Sequence, residues 1–225
     1  MKETPFPENR REFLTLAAAA AAGLGATLPV ASSAVHAAEA STELAADIAR
    51  WFESVPGKHH QVTDWPELNH GMGLIYTLAF LISTPAGLGV SPADVGAVLV
   101  IRHDTIPLAL GDAVWAKYKL GEVFKIDDPE TKAPAVRNPY YLKPGALPFQ
   151  EAALSRLIDA GVRVAACDLA LTFRSMMIAK KMGLEPAAVK QEWMDALHPG
   201  IKVLPSGVFA CHAAQARGFT YMFAG

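Results

Sequence analysis

Apolar positions along the chain recur in two rhythms. One has helical spacing and the other is a short continuous run. Residues 41–55 place Leu44, Ile48, Trp51 and Phe52 on one helical face, extended by Val55, with Ser41 or Thr42 as cap and Pro56-Gly57 as stop. Residues 59–65 are mixed polar and apolar and predict at most a weak strand. Residues 69–84 are mostly apolar and predict a buried helix, entered at Asn69 and ended by Pro85. The aliphatic run from Val95 to His103 predicts a strand covered on both faces. A helix is predicted from Pro107 to Leu120, with Leu110, Val114 and Tyr118 in register and Gly121 closing it.

The second half continues the alternation. A helix over 149–160 stops at Gly161, and a strand follows from Arg163 to Cys167. A helix then runs from about Leu169 to Met182, and another follows Pro186 to Leu197. Residues 201–207 form a strand, residues 208–218 a short helix and residues 219–225 a last strand. Helices and strands in alternation, punctuated by Gly and Pro, argue for an α/β layered domain with a mainly parallel sheet. Residues 123–148 break the pattern with five prolines (129, 134, 139, 144 and 148) and several charges. A loop of that length inside one domain points to a functional or interfacial role.

The first residues have a different character. Lys2, Arg10 and Arg11 precede an alanine-rich apolar run, and Val35-His36-Ala37 offers a small-residue cleavage site. This reads as a twin-arginine signal peptide over residues 1–37, exported to the periplasm, with one domain over 38–225. The run is short and rich in Ala and Gly, so no permanent membrane span is expected from it. The formal charge is −2. Without a basic patch, nucleic acid is not an expected partner.

Two cysteines are too few for a disulfide framework, and no zinc-type spacing is present. Cys167 ends a strand and precedes a helix, at the sheet edge where α/β proteins place their sites. The free amides and positive dipole end of that helix favour a nucleophilic thiolate, while Asp168 opposes one or caps the helix instead. A packed core cysteine is the alternative. Cys211 falls one helical turn after the next strand, where it is either a packed small residue or a partner for Cys167. His103 ends the 95–103 strand at the same edge and is a candidate base or charge partner for Cys167. His70 lies in the first turn of the predicted apolar helix and is a second candidate. Arg102 is a candidate anion ligand. The histidine spacings match no standard metal pattern, and the chain has no dinucleotide, P-loop, GxSxG or HExxH motif. No metal or cofactor is therefore expected.

Three stretches carry a resemblance: "GVRVAACDLAL", "PGIKVLPSGVFACHAAQARG" and "FTYMF". Together with the aliphatic strand at 95–103, they resemble the DsrE-like family of sulfur-relay proteins, in particular its exported members. The resemblance covers roughly residues 90–225, with loop 123–148 as an addition. It implies a three-layer α/β sandwich with a central, mostly parallel five-stranded sheet of flavodoxin-like or Rossmann-like layering. It also implies a homo-oligomer, trimeric or hexameric. In sulfur-carrying members the cysteine equivalent to Cys167 accepts a sulfane sulfur as a persulfide and passes it to a partner thiol. This chain departs from the family in carrying Asp168 where a small residue is usual. Two other readings stand beside sulfur transfer. One is a binding or assembly module that uses loop 123–148, and the other is a redox protein cycling a Cys167–Cys211 disulfide.

Overall fold

The computed structural model describes residues 30–225, with side chains from residue 41. The twin-arginine start and most of the expected signal segment lie outside the described residues. Contacts divide the chain at Asp47 into two units, Met1–Asp47 and Ile48–Gly225. Of the first, the described part is helical and forms the beginning of α1 (Val30–Glu53). The predicted helix at 41–55 thus begins earlier in the chain.

In the second unit, five strands form one parallel sheet in the order β4-β3-β2-β1-β5. The strands are β1 (His59–Trp65), β2 (Val95–Ile101), β3 (Arg163–Cys167), β4 (Ile201–Leu204) and β5 (Thr220–Phe223). Helices on both faces make three layers, the α/β sandwich the sequence predicts. One face is covered by α2 (Met72–Leu88), α6 (Asp168–Met182) and α7 (Pro186–Asp195), with Leu74, Leu171, Ile178, Val189 and Trp193 packed among Leu99, Ile101, Val164 and Ala166. The other face carries α8 (Gly207–Gln215) and the Ile48–Glu53 part of α1, which enclose Val62, Val98, Val100, Ala165 and Leu204. β2 is buried at all seven positions, as its aliphatic run requires. Gly96 in this strand admits the preceding turn: a Cβ there would lie 2.0 Å from the Pro56 carbonyl oxygen.

Several elements differ from the sequence pattern for identifiable reasons. β1 is a full strand despite its polar residues, because its buried polar side chains pair: Gln61 donates to Thr63, and Asp64 binds Arg102. α2 starts at Met72, not Asn69, because Asn69, His70 and Gly71 all take positive φ in a single 3₁₀ turn. It runs through Pro85 to Leu88 and ends at a left-handed Gly89, which donates to the Pro85 carbonyl. Pro85 lies in the last turn, where its missing N–H costs one bond and not the helix. Nor is α2 buried all round. Gly73, Leu74, Thr77 and Pro85 are buried, while Tyr76, Ile82 and Leu88 face solvent. Among the described residues, Asn69–Leu88 is the one stretch long and apolar enough to cross a membrane by length and composition.

The helix predicted over 107–120 divides into a 3₁₀ segment (His103–Ala109), α3 (Asp112–Tyr118) and α4 (Leu120–Phe124). Left-handed Lys119 separates the last two, and Gly121 falls inside α4. The helix predicted over 149–160 is a 3₁₀ turn at Gln150–Ala152 followed by α5 (Leu154–Asp159).

Candidate functional site

The connections after β3 and β4 leave the sheet toward opposite faces. The chain enters α6 on one side and α8 on the other. These strands are neighbours, with Cys167 opposite Leu204. Their carboxyl ends are therefore a topological switch point, the position where doubly wound sheets bind ligands. A helix N-terminus stands after each of the two strands. Cys167 is the N-cap of α6, its Sγ accepting the Ala170 amide at 3.3 Å. Ser206 is the N-cap of α8, its Oγ accepting the Phe209 amide at 3.0 Å. The cap position corrects one expectation: Asp168 is the first residue inside α6, not its cap. Its carboxylate pairs with Lys190 of α7 at 2.8 Å, so the charge beside the thiol is neutralised by a salt bridge.

Arg102 follows β2 and bends under the start of α8. Its guanidinium grips Asp64 of β1 with two hydrogen bonds, Nε to Oδ1 at 2.6 Å and Nη2 to Oδ2 at 2.9 Å. The Tyr221 hydroxyl of β5 donates to the same Oδ2 at 2.7 Å. Gly207 makes room for this path, since a Cβ there would lie 2.6 Å from Arg102 Cδ. The backbone is fixed as well: Arg102 N donates to Thr105 Oγ1, and that hydroxyl donates to the Trp65 carbonyl. Asp64 is buried, and its charge is matched by the fork geometry of the arginine. Arg102 is therefore committed inside the protein, which changes its expected role from anion ligand to partner of a buried carboxylate.

Cys211 sits over this cluster. Burial pushes its thiol up to about 12, the Asp64 carboxylate pushes the same way, and Arg102 offsets part of the rise. Tyr221 is also raised, by loss of solvent and by its bond to Asp64. Both groups stay protonated in neutral solution and act as donors around Asp64.

The two cysteines are both buried and free. They pack in separate core clusters, Cys167 with the α6 side and Cys211 with the α8 side. His103, the expected base for Cys167, has a left-handed φ of 53° and is exposed. Its polar contacts are to Asp104 and Arg174, and Arg174 in turn binds the Asp104 carboxylate. The imidazole thus belongs to a surface network between the 3₁₀ segment and α6. His70 is exposed in the turn before α2. Among the described residues, no group of three or more His, Cys, Asp or Glu could hold a metal ion.

Sequence reasoning missed Asp64, Tyr221 and Ser206. Ser206 carried a readable signal, a serine between a strand and a helix. Asp64 and Tyr221 carried none, because their meaning depends on β1 and β5 being neighbours.

No family model matches the chain, and no curated protein matches it. A solved structure titled "Structure of Protein of Unknown Function MTH1491 from Methanobacterium thermoautotrophicum" is similar to it at 15% identity and a TM-score of 0.38. The match covers 75% of this chain and 99% of that one.

Proposed function

We propose that the protein is a periplasmic sulfur carrier in which Cys167 holds a sulfane sulfur as a persulfide. The observation that carries this reading is the place of Cys167, at the β3–β4 switch point, with its sulfur already accepting an amide of the first turn of α6. A terminal persulfide anion at that point would meet the same amides and the positive end of the helix. In the loading step the Cys167 sulfur attacks the outer sulfur of a persulfide donor. A new S–S bond forms at Cys167, the donor S–S bond breaks, and the donor leaves as a thiol with the proton that Cys167 gives up. A partner thiol reverses the exchange and takes the outer sulfur, and no external oxidant or reductant is required. Lys190 pairs with Asp168, so the carboxylate next to Cys167 does not stand unopposed against a thiolate or persulfide anion. The resemblance of residues 90–225 to DsrE-like proteins supports the same chemistry. Export by the twin-arginine route rests on residues 1–37 of the sequence.

The test is sulfur loading read by intact mass. Wild type and Cys211→Ser should each gain one sulfur from a low-molecular-weight persulfide donor, and Cys167→Ser should gain none. Serine is a strong N-cap, so Cys167→Ser keeps the cap of α6. Loading of Cys167→Ser to the wild-type level would end the proposal.

A second reading, a homo-oligomeric binding or assembly module, is favoured by the surface of α6. Leu169, Phe173, Met176 and Met177 are all exposed along one stripe of that helix. Loop 123–148 exposes Val136 and Leu142 as well. Under this reading Phe173→Glu with Met177→Glu lowers the mass measured by light scattering. An unchanged mass counts against assembly through α6.

A further inference from the structure

Loop 123–148 is held in place along its length. Ile126 accepts from Ala135, and Asp128 Oδ1 accepts the amides of Glu130 and Thr131. Asn138, itself buried, donates through Nδ2 to the carbonyls of Leu108 and Leu110, and its Oδ1 accepts the Tyr140 amide. The Tyr140 and Tyr141 carbonyls accept from Leu154 and Ser155 of α5. Tyr141 lies flat on His198, with ring centroids 3.4 Å apart and planes within 3°. Between these anchors the loop walls a cavity of about 310 Å³, at the small end of the range for organic ligands. His198 precedes β4, while Cys167 sits opposite its last residue, so the cavity and the thiol lie at opposite ends of that strand.

The charges in this cavity do not balance. Its walls carry three carboxylates (Asp112, Asp128 and Glu130) and two cations (Arg137 and Lys143). Lys143 binds Glu130 at 2.5 Å, and Arg137 reaches Asp128 and Glu130 at 3.4 Å each. Asp112 has no cationic side chain among the described residues. Its Oδ1 accepts the Asn138 amide at 2.9 Å. His198 does not supply the missing charge, because burial holds its imidazole down at about 4 and therefore neutral. Asp112 is exposed at the cavity edge and met by water when the cavity is empty, so the cavity as a whole carries one negative charge with no side-chain counter-ion, beside an aromatic wall.

We infer that this cavity binds a small organic cation, an ammonium or guanidinium group on a compact body, with Asp112 as its counter-ion. The cavity is independent of the thiol chemistry and would give the protein a second ligand. The experiment is calorimetric titration of the full-length protein with 1,4-diaminobutane and with agmatine, with malonate as the anionic control. Wild type should bind an amine probe and not malonate. Asp112→Asn keeps the acceptor for the Asn138 amide, so it should retain the melting temperature and lose about tenfold or more in affinity. Asp112→Lys places an ammonium group in the cavity and should abolish amine binding. Absence of amine binding by wild type, binding by Asp112→Asn equal to wild type, or a preference for malonate would each overturn the inference.

Discussion

Cys167 and Cys211 are almost equally buried and both lie near carboxyl ends of the sheet, yet the structure treats them in opposite ways. Cys167 is a hydrogen-bond acceptor that closes the first turn of a helix. Cys211 faces a buried carboxylate and is kept as a protonated donor. Burial is the largest cause of the raised Cys211 thiol and the Asp64 carboxylate adds to it, whereas the polar partner of Cys167 is an amide N–H. An amide N–H welcomes electron density on sulfur, and a carboxylate repels it.

The largest expected effect is in thiol labelling. A protein with Cys211 as its only cysteine should alkylate about tenfold faster per pH unit between pH 8 and 11, with no plateau, because its thiolate fraction still climbs toward a value of about 12. The Cys167-only protein should label faster at pH 8, and equal rates at pH 8 would erase the comparison.

Next in size is Arg102→Met, which leaves Asp64 buried without its cation. It should cost about 3–5 kcal/mol in urea denaturation, and it should slow Cys211 labelling further by removing the one positive neighbour. Gly207→Ala comes third. Its methyl would press on an arginine that Asp64 holds in place, at about 1–3 kcal/mol. Cys167→Ser should stay within about 1 kcal/mol of wild type, since the cap survives.

The smallest effects are slopes of stability with pH. The folded Cys211 thiol lies above its ordinary value near 9. Between about pH 9 and 12 the unfolded chain therefore holds fewer protons than the folded one, and stability falls as pH rises. Cys211→Ala should flatten that limb. His198 lies below its ordinary value of 6.5, at about 4. From about pH 6.5 down to 4 the unfolded chain takes up the proton first, so stability falls as pH falls, and His198→Gln should flatten this acid limb. Denaturant midpoints measured across both ranges decide each case.

How much of this could be read from the sequence follows from where the information lies. β3, Cys167 and α6 were legible because Gly161, an aliphatic run and a helical period sit next to one another in the chain. β1 looked weak because five of its seven residues are polar. It is a central strand because Arg102 and Tyr221 answer Asp64, and neither is local to it. The fate of Asp168 was hidden for the same reason: Lys190, which neutralises it, belongs to the next helix. The loop announced itself by its prolines, but the cavity is made when Asp112, Asn138 and His198 converge from three separate segments. α2 was read as buried because it is apolar on every side, and composition alone does not show which side meets the sheet.

Asp64 also joins two contacts of very different chain separation. Its contact with Arg102 closes a stretch of 38 positions, whereas its contact with Tyr221 closes one of 157. Two doublings of loop length add about 1.2 kcal/mol of closure entropy, and pairings between distant positions form slowly. Closure entropy thus favours the Arg102 contact forming first. A β5 edge that docks after it would meet an existing ion pair and carry no bare charge into the interior.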